Sequence, residues 1–123
     1  MKLIDACGWL QYVLKGPRSE TYRDYLLGET ILVPTVVMYE VYKVIARDLS
    51  EELAAQTAVQ MKTKLVVPLT DDIAFYAADI CLKHRLAMAD AIVYATARTY
   101  EATLVTSDYH FAQMPDVEYL AGE

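Results

Sequence analysis

The sequence predicts an α/β chain built on a parallel sheet with helices on both faces. Three observations predict it. Short apolar runs of strand type recur along the chain, longer segments of helical period separate them, and the strand runs are continuously apolar rather than alternating. A length of 123 residues, 55% hydrophobic and 23% charged with four glycines and four prolines, suits one globular domain over residues 1–123 and excludes a disordered or collagen-like chain.

The elements follow in order. Lys2-Leu3-Ile4-Asp5 is the first strand run, and a helix through Trp9 to Leu14 comes after it. The next helical segment begins after Ser19 and is ended by Gly28. Ile31-Leu32-Val33 is the second strand, and Pro34-Thr35 opens a helix whose apolar stripe is Val37, Val41, Val44 and Ile45. Leu65-Val66-Val67-Pro68 is the third strand. Thr70 then offers a capping hydroxyl and Asp71 and Asp72 place negative charge at a helix start, which gives that pair a structural role. Leu86 to Ala97 reads as a nearly uninterrupted apolar helix, Thr103-Leu104-Val105-Thr106 as the fourth strand, and Val117-Glu118-Tyr119-Leu120 as a weaker fifth.

Several function classes are disfavoured at once. No apolar run reaches the ~18 to 20 residues of a membrane span, and a carboxylate at position 5 stands where a signal peptide would be apolar, so a cytoplasmic chain is expected. Cys7 and Cys81 show neither zinc nor redox spacing and read as small apolar residues. A net charge of −6 argues against binding nucleic acid through an excess of Lys and Arg. Were a nucleic acid such as RNA the substrate, metal ions and local patches would have to offset that field.

Four acids stand out against this background. Asp5 ends the first strand and Asp108 follows the fourth, and open α/β sheets bind ligands beyond the carboxyl ends of their strands. Glu40 lies at the edge of the apolar stripe of its helix, on a face shared with Val36, Lys43 and Arg47. Asp90 sits within the apolar run Leu86 to Ala97, where an isolated carboxylate is costly without a cation or polar partners. Each has a structural alternative: a helix cap for Asp5 and Asp90, a turn for Asp108, a surface pair with Lys43 for Glu40. Together they suit one chemistry, since hard divalent cations prefer carboxylate oxygens and can activate water against a phosphodiester. Histidine is not required, and His84 and His110 read as surface or locally bonded residues. Lys43 and Arg47 are candidates for phosphate contact.

These residues resemble the PIN domain family, in particular the VapC-type toxins of toxin–antitoxin pairs. The likeness is carried by Met88-Ala89-Asp90-Ala91-Ile92-Val93-Tyr94-Ala95-Thr96-Ala97 followed by Thr103-Leu104-Val105-Thr106-Ser107-Asp108, with Leu3-Ile4-Asp5 and Val36-Val37-Met38-Tyr39-Glu40 upstream. The resemblance implies a three-layer α/β/α sandwich and an endoribonuclease that uses Mg²⁺ or Mn²⁺. Asp5, Glu40, Asp90 and Asp108 are then the metal ligands and Thr106 a supporting hydroxyl. It also implies inhibition by a cognate antitoxin, on an apolar groove near Trp9, Tyr12, Tyr22 and Tyr25, and leaves a homodimer open. Two positions depart from the family pattern: Ala6 replaces a hydroxyl residue after the first acid, and Tyr109 and His110 stand where some members carry a further acid.

Two other classes compete. A receiver-like Mg²⁺-binding phosphoacceptor shares strand-end acids, but would want an acid after the third strand and a Lys after the fifth, which this chain lacks. A non-catalytic interaction module is suggested by ten tyrosines and a single tryptophan.

Overall fold

The computed structural model describes residues 1–121; Gly122 and Glu123 lie outside the described residues. The order is β1 (Lys2–Ile4), α1 (Ala6–Val13), α2 (Ser19–Gly28), β2 (Ile31–Pro34), α3 (Thr35–Asp48), α4 (Glu51–Lys62), β3 (Leu65–Val67), α5 (Asp71–His84), α6 (Met88–Thr99), β4 (Thr103–Thr106), a 3₁₀ turn (Tyr109–Phe111) and β5 (Val117–Tyr119). All strand pairs are parallel, in the order β3-β2-β1-β4-β5. Helices flank the sheet in a three-layer α/β/α sandwich.

This order has one consequence for function. From β1 the chain winds outward to β2 and β3, then returns to the other side of β1 for β4 and β5. The winding reverses between β1 and β4, and a crevice opens at such a switch point beyond the carboxyl ends of the strands. Register places Ile4 beside Val105, so Asp5 and Thr106 emerge next to each other at the same end. A receiver domain has the strand order 2-1-3-4-5, so the observed topology rules out that alternative.

Burial explains why the strand runs were continuously apolar. Leu3, Ile4, Leu32, Val33, Leu104 and Val105 are fully buried between the helical layers. β3 departs from this expectation, with Leu65 and Val66 exposed, because it is an edge strand with one neighbour. The stripe of α3 forms as expected through Val37, Val41 and Ile45, with Val44 half-buried. Thr70 caps α5 through Ile73 N–H at 3.2 Å, and Asp71 and Asp72 occupy its first turn. The helix expected from Leu86 starts only at Met88; Leu86 and Ala87 serve as the approach to it. Both cysteines are free and half-buried rather than buried, and Cys81 donates to the Leu86 carbonyl at 3.1 Å.

Close packing of α1 depends on Gly8. A Cβ there would lie 2.5 Å from both Ile4 Cγ2 and Tyr22 Cε1, so only hydrogen lets α1 approach β1 and α2. Trp9 and Tyr22 are fully buried in the core. This corrects the expectation that they line an exposed groove; their large apolar area goes into the interior instead. Among the described residues no helix is long and apolar enough to cross a membrane.

Candidate active site

Asp5 is the first residue after β1 and the N-cap of α1, and both of its sequence readings hold at once. Its Oδ1 accepts from Gly8 N–H at 3.0 Å, the capping bond, while Oδ2 accepts from Thr106 Oγ1 at 2.5 Å. Thr106 is fully buried and its hydroxyl also accepts from Asp108 N–H at 2.9 Å. One threonine thus ties the acid after β1 to the backbone of the acid after β4. The cap fixes the rotamer of Asp5, and the adjacent register of β1 and β4 brings the hydroxyl to it.

Asp108 likewise has a structural and a chemical face. It is the N-cap of the 3₁₀ turn, where Oδ1 accepts from His110 N–H at 2.9 Å and lies 2.7 Å from His110 Nδ1. Asp90 sits in the first turn of α6, whose N-cap Ala87 makes no side-chain bond. Ligand atoms of Asp90, Asp108 and His110 all lie within 4.8 Å of one another, a grouping able to hold a metal ion. Asp5 and Glu40 are outside that tight group but act on it through charge. Glu40, in the second turn of α3, is half-buried and lines a groove of about 450 Å³ between α1 and α3, together with Cys7, Gln11 and Lys43.

The electrostatics join all four acids. Burial pushes the Asp5 carboxyl from 3.8 up to about 6; the bonds from Thr106 and Gly8 oppose this, and the charges of Asp108 and Asp90 add to it. Burial raises Glu40, and so does Asp90, while Lys43 pulls it back. Burial raises Asp90, and so does Asp108, while His110 pulls it back. The Cys7 thiol is pushed up by burial and by Asp5. Carboxylates that repel one another in a partly dry crevice are held there against their own electrostatics, which is a mark of functional sites.

His110 was missed as a site residue from sequence. The available signal was its spacing: an Asp two residues before a His, across a tight turn, brings the imidazole onto the carboxylate. Ser107 was not singled out, and Tyr22 was expected only at the antitoxin groove; their hydroxyls lie 2.7 Å apart and brace the segment between Thr106 and Asp108. Of the proposed phosphate contacts, Lys43 borders Glu40, whereas Arg47 is held by Asp48 through bonds of 2.7 and 3.0 Å.

Fold and site together define a parallel α/β/α domain with acidic side chains grouped beyond the carboxyl ends of β1 and β4. The chain belongs to the PIN domain family, whose model matches residues 2–117. No curated protein matches the sequence. Among solved structures it is similar to a toxin–antitoxin complex from Klebsiella pneumoniae, with a TM-score of 0.80 and 21% identity over 96% of each chain. It is also similar to Mycobacterium tuberculosis VapC20, described as a Sarcin-Ricin loop cleaving toxin, with a TM-score of 0.79 and 15% identity over 94% of this chain and 95% of that one. A third likeness is to VapBC2 from Rickettsia felis bound to a DNA fragment from its promoter, with a TM-score of 0.76 and 16% identity over 96% and 97%.

Proposed function

We propose that this chain is a divalent-metal-dependent endoribonuclease that hydrolyses RNA phosphodiester bonds as the toxin of a toxin–antitoxin pair. The observation that carries the reading is that Asp90, Asp108 and His110 bring ligand atoms within 4.8 Å of one another, with Asp5 and Glu40 coupled to that group by charge. Membership of the PIN family supports it, as do structural relatives described as a toxin–antitoxin complex and as a Sarcin-Ricin loop cleaving toxin.

The donor set fits Mg²⁺ or Mn²⁺, since it is made of hard carboxylate oxygens with one imidazole at its edge. Asp5, Glu40, Asp90 and Asp108 would hold the ion, and its charge would offset the burial and the mutual repulsion that raise Asp5, Glu40 and Asp90. When bound, such an ion neutralises charge developing on the phosphodiester and eases deprotonation of the attacking water. The protein's own part is positioning. Thr106 keeps Asp5 and Asp108 in register through its donated and accepted bonds. His110 fixes the Asp108 carboxylate from the solvent side. Lys43 is the cation placed to meet substrate phosphate beside Glu40, and splayed single strands or loops let a phosphate reach a recessed site.

An antitoxin that covers this crevice in the cytoplasm completes the proposal, with residues 1–123 acting as a single domain. The test is cleavage of a structured RNA by the purified chain in Mg²⁺, in Mn²⁺ and in excess chelator, beside Asp90→Asn. Cleavage should need the ion and fall on the order of 100-fold or more in the variant. Undiminished cleavage in chelator, after removal of contaminating nuclease, would refute the metal mechanism.

A further inference from the structure

The 3₁₀ turn after β4 sends one aromatic side chain into the core and leaves another in water. Phe111 is 1% exposed and stacks on Tyr94, with ring centroids 6.4 Å apart. Tyr109, two residues earlier in the same turn, is 70% exposed. The support under it is firm. Asp108 caps the turn by accepting from His110 N–H at 2.9 Å, the Asp108 carbonyl accepts from Phe111 N–H at 3.1 Å, and Ala112 N–H donates to the Tyr109 carbonyl at 3.0 Å. A side chain held on such a base loses little freedom when a ligand packs on it.

Single exposed aromatics are ordinary, but this one is tied to the acids by two contacts. Its ring stacks on the His110 imidazole, with centroids 4.2 Å apart and planes 28° from parallel. That imidazole in turn lies 2.7 Å from the Asp108 carboxylate. Carboxylate, imidazole and phenol thus follow one another outward, from the group formed by Asp90, Asp108 and His110 to solvent.

Charge narrows what the ring can receive. The chain carries a net charge of −6, and Arg47 is held by Asp48, which leaves Lys43 of the two expected phosphate contacts. Counterion release by Lys and Arg is then a weak source of affinity for a polyanion. Stacking is not subject to that limit, because every unpaired base presents a π-face whatever the charge of the surface beneath it.

We propose that Tyr109 is a recognition residue: its ring receives an unpaired base of the RNA beside the scissile phosphate, and that base extends the stack of Tyr109 on His110. The assignment rests on the nuclease reading. His110 braces the ring and keeps it in register with Asp108, so the stacked base fixes the neighbouring phosphate relative to the acids. A base inside a helix has both faces covered by its neighbours, so the nucleotide at the cut must lie in a loop, a bulge or a single strand.

The test removes the ring and the base in turn. An RNA that the parent cleaves is prepared with an abasic nucleotide on one side or the other of the scissile phosphate, and kcat/KM is measured for the parent, Tyr109→Ala and Tyr109→Phe. Binding of the same RNAs to Asp90→Asn, with and without each Tyr109 change, is read by fluorescence anisotropy. Tyr109→Ala should lower both kcat/KM and affinity on the order of tenfold, while Tyr109→Phe should stay within about twofold of the parent. On one side of the cut, the abasic nucleotide should cost the parent as much as Tyr109→Ala does and cost Tyr109→Ala nothing further. Thermal melts of Tyr109→Ala should match the parent, since the ring is 70% exposed. Losses that simply add on both sides of the cut, or cleavage and binding untouched by Tyr109→Ala, would overturn the proposal and leave the nuclease reading standing. The second of these would assign the ring to a protein partner instead. A parent that cleaves no RNA would overturn both.

Discussion

Replacing Asp5 by Asn should stabilise the metal-free protein at neutral pH, although Asp5 caps a helix and holds two hydrogen bonds. Its carboxyl is raised from 3.8 to about 6, with burial as the first cause and Asp108 and Asp90 as further ones. At ~1.4 kcal/mol for each pH unit, that is roughly 3 kcal/mol of destabilisation by the ionised side chain. The sign follows from proton binding. Between about pH 4 and pH 6 the folded chain holds a proton that the unfolded chain has lost, so stability falls as pH rises through this window and levels off above it. Asparagine keeps the cap, because its Oδ1 can accept from Gly8 N–H, and its amide can donate to Thr106 Oγ1. The variant should therefore exceed the parent by about 1 to 3 kcal/mol at pH 7.5 without metal, and the gap should close towards pH 4. Mg²⁺ should stabilise the parent and leave the variant nearly unchanged. Urea denaturation read through Trp9, the one tryptophan and fully buried, measures this directly. A variant less stable than the parent at pH 7.5, or a gap that does not move with pH, would refute the reasoning.

Three further outcomes are expected. Gly8→Ala should cost about 1 to 3 kcal/mol in the same urea assay, because its Cβ meets Ile4 and Tyr22 at 2.5 Å. Thr106→Val should cost about 1 to 3 kcal/mol and raise the Asp5 carboxyl further, seen by carboxyl-carbon NMR titration, whereas Thr106→Ser should restore most of both. Glu101→Gly should stabilise by about 0.5 to 1 kcal/mol on thermal denaturation, since Glu101 holds a left-handed φ of 54° in an exposed turn.

How much of this was legible in the sequence depended on whether the signal was local. All five strands lay within a residue of their expected bounds; buried β1, β2 and β4 leave continuous apolar runs, while the edge strands β3 and β5 carry the same β-type residues with less burial. Thr70 marked a helix start by its own chemistry, and α2 ends at Gly28 as expected. α4 left no named signal: its apolar pattern is weak and its cap, Ser50 bonding Leu53 N–H at 3.0 Å, is an ordinary serine until the turn is seen. The turns at Lys15, Arg85, Glu101 and Asp116 were invisible because non-glycine residues adopt the left-handed backbone there. Asp5, Glu40, Asp90 and Asp108 stood out in sequence from strand ends and misplaced polarity, and the structure brings Asp90 and Asp108 together while Asp5 and Glu40 couple to them through charge. Their linkage was not legible: Thr106 lies 101 residues from Asp5, and only the parallel register of β1 and β4 joins them. The buried aromatics misled because Trp9 and Tyr22 look alike in sequence whether they face a groove or the core.

The dual roles of Asp5 and Asp108 bear on how substitutions at the site must be interpreted. Both carboxylates cap a helical turn and both hold a second group, so an Ala variant at either position removes structure along with any ligand. Loss of cleavage there would be ambiguous. Glu40 and Asp90 differ: burial and neighbouring charge set their protonation, with no hydrogen bond contributing. Removing either charge relieves repulsion and breaks no cap, so the cost to folding should be small while the cost to a cation site remains. The acids with the fewest structural ties are thus the most informative about chemistry. Asp90, buried enough to be raised and within 4.8 Å of the Asp108 and His110 ligand atoms, is the position where a structural and a chemical role give opposite results.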